Sequence, residues 1–399
     1  MDIEALYQTS ERLAGAVKQD LHRYFYDKLD WKLPMICLKG AKGIGKSTAF
    51  LQIIKENMKT NEAVYVSLDN IWFSEHRLTE LADYHYQRGG THLFVDEVHR
   101  YPYKNWMQEL KNINDSYPGL HICFTGSSLL KIDNSVADLS RRCIFYDAQG
   151  LSFREYLKFE RIADYPVISL PDLLDHHLEI ARKIASEIKP LKYFNEFLEK
   201  GYYPYYKLHP NTYYAAIQQT ISAIIDDDLR SVEEIESVTI KKVKRLMAIL
   251  SQMAPFTPNI TKLGQAIEAT RNQTSAILQT LEKAALVNNL YKDKKDMSQL
   301  TKPEKVYLEN TNLMHALSNH VDKGNDRETF FANQLKESHE VAYSGNGDFL
   351  IDGKYTFEVG GKNKNFDQIK DIPDSYIASD DIEFGHGNRI PLWLFGLLY

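Results

Sequence analysis

The chain has 399 residues, too many for one ordinary core, and a net charge of -6 that gives no whole-protein reason to bind nucleic acid. Its composition, 43% hydrophobic and 26% charged, excludes a disordered chain, and its longest apolar runs fall short of the ~20 residues a membrane helix needs. The first residues lack the basic and apolar regions of a signal peptide. Cys37, Cys123 and Cys143 lie scattered in apolar stretches, which is the usage of buried free thiols in a reducing cytoplasm.

The apolar run Leu33 to Leu38 reads as a buried parallel strand, and "STAFLQIIKEN" reads as the helix that follows. Between them "GAKGIGKS" matches G-x-x-x-x-G-K-[ST] at Gly40, Gly45, Lys46 and Ser47. Glycine at such density lets backbone N–H groups wrap phosphates, and a helix N-terminus adds its partial positive charge. Gly40, Gly43, Gly45, Lys46, Ser47 and Thr48 are therefore the expected nucleotide contacts. Lys46 would reach the β and γ oxygens and Ser47 would ligate Mg²⁺.

A short strand, "AVYVSLD" at 63 to 69, precedes "THLFVDEV", a second apolar strand ending in Asp96 and Glu97, 50 residues after Lys46. A strand-end carboxylate of this kind holds Mg²⁺ and its neighbour polarises the attacking water, so Asp96 is assigned to the metal and Glu97 to the general base. The strand "LHICFTGSS" ends in Thr125, Ser127 and Ser128; Thr125 or Ser127 can sense the γ-phosphate, although small hydroxyl residues also simply make turns. Arg141 and Arg142 stand just before a further apolar strand, where an arginine can complete a neighbour's site or its own.

Taken in order, "GAKGIGKST", "YVSLD", "LFVDEVHRYPYKNWMQELK", "CFTGSS", "LSRR" and "GLSFREYL" resemble the bacterial and archaeal AAA-type ATP-binding proteins that carry a C-terminal domain of unknown function. The resemblance implies an α/β fold: a five-stranded parallel P-loop NTPase sheet of the glutamate-using branch with helices on both faces. It further implies a helical lid, a winged-helix-like segment and a small nuclease-like α/β domain. The corresponding boundaries are 1–150, 151–235, 236–305 and 306–399. ATP and Mg²⁺ are the expected cofactors, with no membrane partner and with a second copy or another protein as a further candidate partner.

The lid carries aromatic clusters such as "YFNEFLEKGYYPYY", which helix packing explains more economically than adenine stacking. "DDD" at 226 to 228 reads as a solvated helix end. Between Ile240 and Lys305 twelve Lys or Arg face five Asp or Glu, a local +7 that leaves about -13 on the remainder. Read as helix, turn, helix and strand pair, this segment would expose Arg271, Asn272, Gln273, Gln279 and Lys283 on its second helix, chemically suited to DNA. Such modules also serve purely for packing. In the last domain Glu328, Asp348 and Glu358 resemble a restriction-endonuclease acidic cluster, but the lysine two residues after the glutamate is replaced by Gly360, and Lys362 lies too far along an extended strand. Three functions are thus in view: an ATP-driven switch or motor, a nucleotide-regulated DNA-binding protein, and an ATP-gated nuclease.

Overall fold

The computed structural model describes residues 2–59, 61–126, 139, 141–229, 237–292, 302–318 and 320–399. The chain divides into two compact units, Met1–Gln149 and Gly150–Tyr399. All three cysteines are buried and free. No helix among the described residues is long and apolar enough to cross a membrane.

In the first unit α1 (Glu4–Ala16) precedes β1 (Met35–Gly40), followed by α2 (Lys46–Asn57), β2 (Ala63–Ser67), α3 (Leu78–Gln87), β3 (His92–Asp96), α4 (Trp106–Ser116), β4 (His121–Gly126) and β5 (Ile144–Ala148). The strands form one sheet in the order β2-β3-β4-β1-β5, parallel throughout. Buried parallel strands read as continuous apolar runs because both faces are covered, and Met35, Ile36, Cys37 and Leu38 are all fully buried. The strand that follows α2 in sequence goes to the sheet edge. In space it is β4 that separates β1 from β3, so Leu38 pairs with Thr125 and Phe94 with Cys123. All strands point the same way, which gathers the ends of β1, β3 and β4 at one edge.

The second unit holds α5 (Phe153–Phe159), α6 (Leu170–Glu187), α7 (Pro190–Lys200), α8 (Tyr213–Ala223), α9 (Ser237–Met253), α10 (Ile260–Ile267), α11 (Arg271–Lys283), β6 (Val287–Leu290), β7 (Lys305–Leu308), α12 (Thr311–Leu317) and α13 (Lys323–Leu335). Strands β8 (Val341–Tyr343), β9 (Phe349–Ile351), β10 (Tyr355–Gly360), β11 (Ser375–Ser379) and β12 (Arg389–Pro391) then form a mixed sheet in the order β12-β11-β10-β9-β8. The aromatics of the helical part pack on one another: Phe153 meets Phe194 edge-on at 5.5 Å, and Phe194 meets Phe330 at 4.8 Å. The unit's beginning and end interlock, with the Ser152 hydroxyl donating to the Tyr399 carbonyl at 2.7 Å.

One expectation is corrected in this region. Residues 224–228 form a π-helical turn in which Asp226 pairs with Lys244 at 2.7 Å but Asp228 is buried, so the triplet is not a uniformly solvated helix end. A π-turn advances the chain by an extra residue, which carries Asp228 round to the packed face.

Candidate nucleotide site

Strand β1 ends at Gly40, where a Cβ would lie 2.3 Å from the Ala148 carbonyl oxygen and 2.7 Å from Ile44 Cδ1. Only glycine lets β1, β5 and the loop meet this closely. The loop enters α2 through Gly45, whose φ of 100° is left-handed and which has no side-chain cap. The first amides of α2 at Lys46, Ser47 and Thr48 are thus the helix end that faces the loop.

Lys46 is buried and donates to the carbonyls of Gly40 at 2.8 Å and Ala41 at 2.7 Å. Burial pushes its ammonium down to about 8, against the opposing pull of Glu97 and Asp96. At the end of β3, Asp96 is also buried. Its Oδ2 accepts the Tyr65 phenol at 2.6 Å, and its Oδ1 accepts the Glu97 amide at 3.1 Å and the Thr125 hydroxyl. Glu97 occupies the left-handed region at φ 54°, which turns the chain sharply out of the strand, and its carboxylate lies 3.2 Å from His99 Nε2.

The structure thus brings Lys46, Ser47, Asp96, Glu97 and Thr125 to one sheet edge. Thr125, expected as a phosphate sensor, directs its hydroxyl at Asp96; Ser127 and Ser128 lie outside the described residues. Arg142 is corrected as a residue of its own site. It precedes β5, whose Ile144 aligns with Ile36 and whose Ala148 aligns with Gly40, so it stands at the opposite sheet edge, ~20 Å away at ~3.3 Å per residue. There it makes a bidentate pair with Asp115, at 2.9 and 3.1 Å.

Sequence reasoning missed three residues. Tyr65 stands two positions before Ser67, which pairs with Asp96, so alternation puts both side chains of β2 on the same face of the sheet and carries the phenol to the carboxylate. Buried His99 reaches Glu97. Buried Arg23 donates to the Ile44 carbonyl inside the loop and to the Gln149 carbonyl at 2.8 Å. The register of "YVSLD" beside "FVDE" is a signal that points to the first; nothing local in the sequence marks the other two.

Ser47 and Asp96 offer a hydroxyl and a carboxylate, the latter held by the Tyr65 phenol, hard oxygen donors of the type that suits Mg²⁺. Among the described residues no group of three His, Cys, Asp or Glu side chains is placed to hold a metal ion.

In the second unit, Asn259 caps α10, Glu268 makes the left-handed turn, and Thr270 with Gln273 forms a capping box opening α11. Arg271, Asn272, Gln273 and Lys283 are exposed, as expected, whereas Gln279 is half-buried; Gln273 is engaged in the cap. The carboxylates of Glu328 and Asp348 share the Lys305 ammonium, at 2.8 and 3.2 Å, and Tyr307 donates to Glu328 at 2.9 Å. Lys362, too distant along the strand, is not the partner of Glu358; Lys364, which the sequence analysis did not weigh, pairs with it at 2.5 Å. Strand β10 ends at Gly360 and the chain turns back, so extended-chain counting fails there.

A parallel sheet of this order, with a glycine-rich loop running from β1 into a helix N-terminus, defines a P-loop nucleotide-binding domain. Residues 32–157, most of the first unit, match the family model of the AAA domain. Residues 191–324 match a domain of unknown function, DUF8612. The chain is 24% identical over 392 residues to the uncharacterized protein MJ1637 of Methanocaldococcus jannaschii, covering 89% of this chain and 81% of that protein. It is similar to the solved Walker-type ATPase paby2304 of Pyrococcus abyssi at 11% identity, over 79% of this chain and 95% of that chain, with a TM-score of 0.40. A likeness to C. elegans PCH-2 covers 44% of this chain and 48% of that one at 13% identity, with a TM-score of 0.26. Neither structural likeness is close enough to bear on the site.

Proposed function

We propose that this AAA-type ATP-binding protein hydrolyses ATP and uses the reaction as a switch or motor. The observation that supports the reading most is the convergence of Lys46, Ser47, Asp96 and Glu97 at one edge of the sheet. In this reading Lys46 leaves the Gly40 and Ala41 carbonyls to neutralise phosphate oxygens, and the amides opening α2 bind the same anion. Ser47 and Asp96 would hold Mg²⁺, which supplies positive charge at the phosphates when bound. Glu97 orients and deprotonates the attacking water, and His99 holds its carboxylate in the resting site.

Steady-state hydrolysis and nucleotide binding test the assignment together. Lys46→Ala is expected to lose binding, whereas Glu97→Gln is expected to bind ATP and lose turnover by at least a hundredfold. Full turnover in Glu97→Gln would remove the base assignment.

A second reading, contact with duplex DNA, is favoured by one observation. On α11 the stripe Asn272, Ala276, Gln279, Lys283 follows helical spacing and lies exposed or half-buried, with Arg271 exposed beside it. Amide and cationic side chains on one face of a second helix suit base edges and phosphates. For the acidic cluster of the mixed sheet, the two lysine ammoniums already neutralise much of its charge, which favours a structural role over metal-dependent cleavage.

A further inference from the structure

We propose that Arg23 is a positioning residue of the phosphate site, fixing the peptide between Ile44 and Gly45 so that the Gly45 amide faces bound phosphate; this rests on the ATPase reading above. Arg23 is buried, and its Nη1 donates to the Ile44 carbonyl while its Nη2 donates to the Gln149 carbonyl at 2.8 Å. A trans peptide is planar, with its C=O and N–H on opposite sides. Holding the Ile44 oxygen therefore sends the Gly45 N–H away from the guanidinium, and in a loop of this motif the inward amides are the ones that cradle phosphate.

The grip matters most at this peptide. Gly45 is left-handed at φ 100°, and glycine adopts either sign of φ at little cost, so its own backbone does not oppose a flip. A flip would turn the Ile44 carbonyl, a partial negative charge, toward the anion. The Arg23 side chain lies directly against the glycine: a Cβ built at Gly45 would stand 3.8 Å from its Cγ and 3.9 Å from its Nη1.

The far end of the brace is fixed as well. Gln149 follows Ala148, which pairs with Gly40 at the end of β5, and the Gln149 amide donates to the Tyr24 hydroxyl at 2.8 Å. Residues 23 and 24 thus take both backbone polar groups of Gln149. The segment that carries them is bonded in turn to α2, where the buried Gln52 donates to the Lys18 and Leu21 carbonyls at 2.8 and 3.0 Å. Any buried guanidinium needs acceptors. Packing alone does not select the last peptide of the phosphate loop together with the strand end beside its first glycine.

The planar fork of an arginine reaches two carbonyls at once, which an ammonium on a flexible stem does not reproduce. The experiment measures calorimetric affinity for ADP and for inorganic pyrophosphate, with Mg²⁺ present, in wild type, Arg23→Lys and Arg23→Ala; a urea transition for each shows that it folds. Both variants are expected to bind each ligand at least about tenfold more weakly, the scale of one lost charge-assisted hydrogen bond. Guanidinium chloride, well below denaturing concentrations, should restore most of the affinity of Arg23→Ala and leave wild type unchanged. Ammonium chloride should not.

Unchanged affinity in either variant overturns the proposal and leaves the ATPase reading intact. A loss in folded Arg23→Ala that neither ion restores also overturns it, because that is the behaviour of a packing residue. Restoration by ammonium as fully as by guanidinium overturns it too, since charge without the fork would then suffice. Wild type that binds neither ligand overturns both readings. If Arg23→Ala does not fold, Arg23→Lys decides: unchanged affinity there overturns the proposal.

Discussion

Lys364 lies 2.5 Å from the Glu358 carboxylate, and its stem fills the space where a side chain at Gly360 would begin, 2.8 to 3.0 Å from a Cβ built there. The lysine approaches from beyond the strand end, not from within the strand. Burial and the neighbouring Asp348 raise the Glu358 pKa, and Lys364 opposes them.

The sign of the resulting pH effect is fixed. A carboxyl whose folded pKa lies above its unfolded value makes the protein less stable as pH rises through that interval. Lys364→Met removes the opposing charge, so the second unit should lose about 2 kcal/mol at pH 8 and distinctly less near pH 5. Urea denaturation at the two pH values checks it; equal losses would show that the ammonium acts only through packing.

Gly40→Ala places a Cβ against the Ala148 carbonyl, a backbone atom with no freedom to withdraw. We expect a loss of about 2–4 kcal/mol in the first unit, together with loss of nucleotide binding. Gly119→Ala is the contrast: its φ is +85°, but nothing lies within 4 Å of the added Cβ. The cost there should be only about 1 kcal/mol, with binding intact.

Lys46 titrates at about 8 in the nucleotide-free protein because burial disfavours its charge. Bound polyphosphate favours the charged form, so binding above pH 8 must take up a proton, approaching one per site by about pH 9. Calorimetry in two buffers of different ionisation heat, with EDTA present, measures the uptake directly. Because this folded-state pKa lies below the unfolded one, the same group makes the free protein more stable as pH rises from about 8 toward 10.5. Lys46→Ala should lack both effects.

If α11 contacts DNA phosphates, neutralising Arg271 and Lys283 together should lower the slope of log affinity against log salt by about 2. Asn272→Ala should instead weaken binding without changing that slope, as a base-edge contact does. Fluorescence anisotropy with a duplex across a salt series separates the two. A slope that is the same in the double variant would exclude this helix as the contact.

The sequence made the phosphate loop and the strand-end acids legible because their chemistry is carried by contiguous residues. Gly40 to Ser47 and Asp96-Glu97 each identify themselves by spacing, and the apolar runs ahead of them supply the strands. What stayed hidden depends on register or on chain direction. Tyr65 reaches Asp96 only because β2 pairs with β3 as it does, and Arg23 reaches Ile44 across the fold. Arg142 was misplaced because sequence order does not say which end of a strand faces the site. Lys364 stayed hidden as the partner of Glu358 because counting along an extended strand takes no account of the turn after Gly360.

Arg23 joins two backbone points with different fates. Ile44 belongs to the loop that wraps the phosphates, while Gln149 is the last residue before the chain passes into its second unit. One guanidinium grips both. A shift of that loop is therefore opposed by the backbone at the end of the first unit, to which the same guanidinium is bonded.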